Sequence, residues 1–331
     1  MTYTLKFLTA LLLAPLAALG AEAHHRSEIQ IRDPFILPVT ELKTYYLYCS
    51  MPVRLDDGRN RPGVGVYTSK DLQQWEGPKP AFHFPDGFWA DQSVWAPEVH
   101  RYQGKFHLFA TFTSKDELPT PQGRRQNVKR ATQILVSESS EGPFKPLADK
   151  PHTPGDWMSL DGTFWVEDGV PYMIFCHEWV QVNDGTMELV RLKDDLSEVA
   201  GQPQTLFKAS DANWVHGLNA TGGYITDGPF LYRTKSGRLL MIWSSFDKGK
   251  KYAVGIAYST SGKVAGPWKH MDEPLLANDG GHGMIFKTFD GRLVLAVHQP
   301  NQGTIRARLF ELEDAGQTLR IRQEIPLEKP Y

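Results

Sequence analysis

A unit of roughly 60 residues recurs five times along this 331-residue chain, and no other feature constrains the fold as much. Each unit runs strand, turn, second strand, third strand, then a Gly-Pro-aromatic or Trp signal. First hairpins are clearest at residues 95–112, turning at Gln103-Gly104, and at 161–178, turning at Asp168-Gly169. Two more cover 227–245, turning at Ser236-Gly237, and 282–298, turning at Asp290-Gly291. Glycine after a polar residue between apolar runs accepts the positive φ that a tight hairpin needs. The first copy, 33–50, has a longer turn around Thr40 to Thr44. Outer segments repeat as well. Ile134-Leu135-Val136-Ser137 leads to Gly142-Pro143-Phe144, and Ile256-Ala257-Tyr258-Ser259 leads to Gly266-Pro267-Trp268.

The copies start at Asp33, Ala96, Asp161, Asp227 and His282. A near-constant period with about four strands per copy predicts an all-β, five-bladed β-propeller, because a β-sandwich has many strands but no such period. An aromatic content of 11%, with 29 Gly and 23 Pro, suits short strands and turns better than long helices. No linker or appended module interrupts the pattern, so residues 24–331 read as one propeller domain.

Residues 1–23 read differently. Lys6, an apolar run over 7–19 and the small-residue stretch Gly20-Ala21-Glu22-Ala23 predict a secretory signal peptide. The run is too short for a transmembrane span. A secreted or periplasmic monomer is expected. Cys49 and Cys176 end corresponding strands two blades apart, so buried free thiols are expected and a disulfide is not. A formal charge of −2 argues against nucleic acid as a partner.

In a propeller the innermost strand of each blade lines the central funnel. The repeat therefore sets Asp33, Asp161 and Asp227 at one height around one cavity. Each is followed by Pro or Gly and on its own reads as a turn residue. Three carboxylates converging on one cavity repel each other and resist burial. Glycoside hydrolysis is a chemistry that needs such paired carboxyl groups.

Arg32-Asp33-Pro34-Phe35-Ile36, Trp95-Ala96-Pro97-Glu98, Leu160-Asp161-Gly162-Thr163-Phe164, Asp227-Gly228-Pro229-Phe230-Leu231 and Gly281-His282-Gly283 together resemble glycoside hydrolase family 43. The resemblance covers nearly all of residues 24–331. It implies an inverting hydrolase of plant-type pentose oligosaccharides or polysaccharides: first an exo-acting α-L-arabinofuranosidase, then an endo-arabinanase or β-xylosidase. It also implies roles: Asp33 as general base, Asp161 as the residue that tunes the acid, and Asp227 as general acid. The family usually has Glu at the last place. Asp is one methylene shorter, which leaves its carboxyl about 1 Å further from a glycosidic oxygen. That departure admits Glu178, in Cys176-His177-Glu178-Trp179, as the alternative acid, and a non-catalytic glycan-binding propeller as the alternative function.

By the same resemblance His282 lies near the axis, where calcium is often bound through water. Calcium is admitted rather than required, since hard cations prefer oxygen ligands. No organic cofactor is implied. Trp95 and Trp179 are expected to stack on sugar faces, and His177 and His298 to bond sugar hydroxyls. The basic stretch 123–130 reads most simply as a solvated loop in blade 2, long enough to leave room for a role at the rim of the site.

Overall fold

A computed structural model of the chain describes residues 23–219 and 222–327. The predicted signal peptide lies outside the described residues, apart from Ala23. Five antiparallel sheets stand around one axis, each running outward from an innermost strand. The innermost strands are Phe35–Val39, Ser93–Tyr102, Ser159–Glu167, Asp227–Arg233 and Gly281–Lys287, which define blades 1 to 5. Blades 2 to 5 have four strands each, while blade 1 gains a fifth, Ala23–His25, paired outside Gln74–His83. Ala23, the last residue of the predicted signal peptide, already pairs with Glu76 in that strand.

The turn chemistry follows the sequence. Gln103-Gly104 and Asp168-Gly169 both hold positive φ at both residues, as two-residue hairpins require. Apolar side chains from facing sheets form the core. Phe109 and Ile134 of blade 2 pack on Met173 and Phe175 of blade 3, and blades 3 and 4 meet through Met187, Met241 and Trp243. Cys49 and Cys176 are buried and unbonded to each other.

The ring is clasped where the chain's described start meets blade 5. Ile31 N donates to Ile305 O at 3.2 Å, and Arg26, almost wholly buried, donates to Ile325 O and Pro326 O at 3.1 and 2.6 Å. Arg306 returns a bond to Ser27 O at 2.6 Å.

One feature of the repeat is shifted from its predicted place. Asp33, Ala96, Asp161 and His282 all have positive φ, between 43° and 57°, but in blade 4 the residue with this conformation is Gly228, at 49°. The ladders agree. Pairing slips between Trp95 and Glu98, Leu160 and Thr163, Asp227 and Phe230, and Gly281 and Met284. Each slip is a bulge, which bends the strand and re-aims its residues locally. Asp227 is therefore the residue before the bulge, in register with Leu160 and Trp95. Only Asp33 and Asp161 are strict equivalents.

Candidate active site

The bulge residues are held by the neighbouring blade. Thr111 Oγ1, at the inner end of blade 2, accepts from Asp161 N at 2.8 Å, and Ser244 Oγ, in blade 4, accepts from His282 N at 2.8 Å. His298, in blade 5, takes the corresponding place for Asp33: its Nδ1 lies 3.3 Å from Asp33 N and 3.0 Å from Asp33 Oδ1. Which of the two it bonds is decided by the ring tautomer. Gly228 N donates to Asp161 Oδ2 at 3.0 Å. A Cβ on Gly228 would lie 2.9 Å from the His282 ring, so this position needs glycine for space as well as for φ.

These residues face a cavity of about 640 Å³ at the funnel mouth, whose lining includes Asp33, Asp161, Asp227, Glu178, Trp95, Trp179 and His282. Seven of the nine residues singled out from the sequence thus meet in one place. The two others do not line it. His298 is buried behind Asp33. His177 stacks on Trp157 at 4.1 Å and bonds Gln181 Oε1 at 2.7 Å, so its ring is engaged by the loop preceding blade 3 and by the Trp179–Val182 helical turn.

The three aspartates differ sharply in charge. Burial works against ionisation of Asp33, but His282, His298 and Arg32 outweigh it and hold the carboxyl well below the usual range. Burial, and next the Asp33 charge, pushes Asp161 well above that range. Burial, and next Asp161, pushes Asp227 up to about 7, against the opposing pull of His282 and a hydrogen bond from Tyr252. At neutral pH Asp33 is therefore firmly ionised and Asp161 is pushed toward its neutral form, while Asp227 still carries a proton much of the time, so that Asp33 and Asp227 are divided in protonation. Such a divided pair can accept a proton on one side and give one on the other.

Glu178 is in another situation. Burial raises its carboxyl, while an ion pair with the buried Arg130 works the other way. Arg130 also lies 4.2 Å from the centre of the Trp95 ring and bonds Thr113 Oγ1 at 3.1 Å. This corrects the C-terminal part of the reading of 123–130 as a solvated loop: 123–126 are exposed, but Asn127 and Arg130 are buried. Arg130 belongs to the strand Val128–Ser137, and Arg124 donates to Val180 O at 3.1 Å.

Calcium fits the donors around His282 poorly. Its Nδ1 faces Asp33 Oδ1 at 3.4 Å and Asp161 Oδ2 at 3.8 Å, giving an imidazole where a hard cation would want oxygen. Among the described residues no group of three or more His, Cys, Asp or Glu is arranged to hold a metal ion.

Tyr252 is a lining residue that the sequence motifs miss. Its hydroxyl donates to Asp227 Oδ2 at 2.9 Å, and its ring stacks on His298 with centroids 5.4 Å apart. It opens the strand Tyr252–Ser259 outside every recurring motif. The one hint lies elsewhere: a Cβ on Gly281 would come within 2.3 Å of the Tyr252 ring.

Comparison with known proteins agrees with this geometry. The family model described as glycosyl hydrolases family 43 matches residues 27–322. An extracellular exo-α-(1→5)-L-arabinofuranosidase from Cellvibrio japonicus (strain Ueda107) is 23% identical over 87% of this chain and 82% of its own. The crystal structure of an endo-arabinase from Bacteroides thetaiotaomicron VPI-5482 is 41% identical, with a TM-score of 0.76 over 87% of this chain and 96% of that one. A thermostable family-43 glycoside hydrolase, 22% identical, shares the fold with a TM-score of 0.74 over 95% of this chain and 97% of that one.

Proposed function

The chain belongs to glycosyl hydrolases family 43 and is a glycoside hydrolase of the arabinan- and xylan-active kind, and within that class we propose that it is an inverting, exo-acting α-L-arabinofuranosidase. The observation that carries the mechanism is the opposite protonation of Asp33 and Asp227 in one cavity. Asp33, held ionised by two imidazoles and Arg32, draws a proton from a water aimed at the anomeric carbon. Asp227, which still carries a proton much of the time at neutral pH, gives it to the departing glycosidic oxygen. Asp161, which accepts from Gly228 N, opposes ionisation of Asp227, because two such neighbouring buried carboxyls do not readily carry charge together. An oxocarbenium-like transition state is then flanked by a base and an acid on opposite sides.

Asp227 is a better donor than Glu178. Burial raises the Glu178 carboxyl, but its ion pair with Arg130 favours the charged form and occupies the oxygen that would donate, whereas Asp227 has no cation bonded to it among the described residues.

Arabinose is favoured over xylose as the substrate sugar because both the Cellvibrio relative and the 41%-identical structure carry arabinan-directed names. An endo-arabinanase is the second reading, and the name of that structure is what favours it. Export belongs to the same reading: the Cellvibrio relative is described as extracellular, and no helix among the described residues is long and apolar enough to cross a membrane. The test is a panel of aryl α-L-arabinofuranoside, aryl β-xyloside and linear arabinan, with NMR of the first-formed anomer. Release of single arabinose units with inverted configuration is expected. Xyloside-only activity, or net retention, contradicts the proposal.

A further inference from the structure

The catalytic cavity is open on one side. Ser50 and Trp95 line it and also line a second depression of about 440 Å³ between blades 1 and 2. That depression exists because the blade 1 hairpin is long. Its strands Thr44–Arg54 and Asn60–Ser69 keep pairing out to Arg54 and Asn60, whereas the corresponding hairpin of blade 3, Val170–His177 with Thr186–Arg191, is shorter. The overhanging end forms one wall, and the first residues of Ser93–Tyr102 form the other.

The lining is of the kind that holds sugars. Met51 and Pro62 supply an apolar floor, and the exposed amides of Asn60 and Gln92 offer donors and acceptors together. Trp95, 40% exposed and braced by Arg130, stands where cavity and groove meet. An indole held in place is a ready platform for the apolar face of a pyranose or furanose. Arg61, the cation in this lining, is already paired with Asp86 and bonded to Phe84 O at 2.8 Å. A neutral occupant suits the groove better than an anion.

We propose that this groove is a second sugar subsite, which holds a neighbouring unit of the same neutral pentose chain while one unit lies in the cavity. The inference rests on the arabinan-directed reading above. Continuity of the two depressions through Trp95 is what names the occupant: a chain leaving the cavity past Trp95 enters the groove without a break.

The test compares kcat/KM on α-1,5-linked arabino-oligosaccharides of two to six units for the full chain and for an Asn60→Ala/Gln92→Ala variant. Both side chains are exposed, and a thermal melt checks that the variant folds. For the wild type, kcat/KM should climb about tenfold or more with length, as added subsite contacts raise it. In the variant the ratio of long to short substrate should fall by about tenfold. A second variant, Met51→Arg, puts bulk and charge on the groove floor and should flatten the same ratio. Wild-type cleavage with no length dependence, or variants that keep the full climb, overturns the subsite alone. Failure of the wild type on every arabinose substrate overturns the arabinan reading, and the named occupant with it.

Discussion

The Tyr252 hydroxyl donates to Asp227 Oδ2 at 2.9 Å, while the ring of the same tyrosine lies flat on His298, which contacts Asp33. One aromatic side chain therefore links Asp227 to the histidine that contacts Asp33. Burial, and next the charge of Asp227, raises its phenol well above the ordinary value, so Tyr252 acts only as a donor. A donor to a carboxyl favours the charged form.

Tyr252→Phe should therefore move the alkaline limb of the kcat/KM profile upward, by as much as about one pH unit for a bond of about 1 kcal/mol. The rate at the optimum should fall about tenfold as Asp227 loses its orientation. A pH-rate profile on an aryl arabinofuranoside measures both. An unmoved limb would mean that Tyr252 does not tune the acid.

Asp227 also makes stability depend on pH. Its carboxyl titrates near 4 in the unfolded chain and at about 7 when folded. The folded state thus binds the extra proton, and stability declines as pH rises from about 4 to about 7. Asp227→Asn, always neutral, should escape that decline. In urea titrations it should be more stable than wild type at pH 8, by on the order of 2–4 kcal/mol, with the gap closing by pH 4. Equal pH dependence of the two proteins would contradict the assignment.

Gly281 makes room for Tyr252. A Cβ there meets the ring at 2.3 Å, with ring atoms that cannot yield without moving off His298. Gly281→Ala should cost about 1–3 kcal/mol by overpacking and should depress activity along with Tyr252→Phe. Gly155→Ala, where the added carbon meets nothing within 4 Å, is the matched control for denaturation curves.

Arg130 and Glu178 are buried together, and removing one leaves the other without its partner. Arg130→Met should destabilise the fold by about 3–5 kcal/mol, and adding Glu178→Gln should recover a good part of that. A double-mutant cycle by thermal denaturation reads the coupling. Additive effects would show that the pair contributes nothing as a pair.

The blade plan is legible in the sequence because turn dipeptides and apolar strands are local features that repeat. The cavity residues on innermost strands follow from the same repeat. The one-residue offset at Asp227 is not legible: Asp227-Gly228-Pro229 and Asp161-Gly162-Thr163 look alike as strings, and only the backbone shows that Gly228, not Asp227, takes the bulge conformation. Arg130 reads as part of a basic loop because its partner Glu178 is 48 residues away, in the next blade. Tyr252 is hidden for a similar reason. Its role depends on the absence of a side chain at Gly281 and on a stack with His298, neither of which leaves a mark near residue 252.

The measurement closest to the central claim, that Asp227 is the acid and Asp33 the base, varies the leaving group. A dinitrophenolate departs with little help, whereas a sugar alkoxide needs a proton in the transition state. Asp227→Ala should lose about 10²–10⁴-fold on arabinan yet stay within about tenfold of wild type on a dinitrophenyl α-L-arabinofuranoside. Asp33→Ala should lose both activities, because no leaving group replaces an activated water. Selective rescue by the dinitrophenyl substrate in Glu178→Ala, and its absence in Asp227→Ala, would contradict the account.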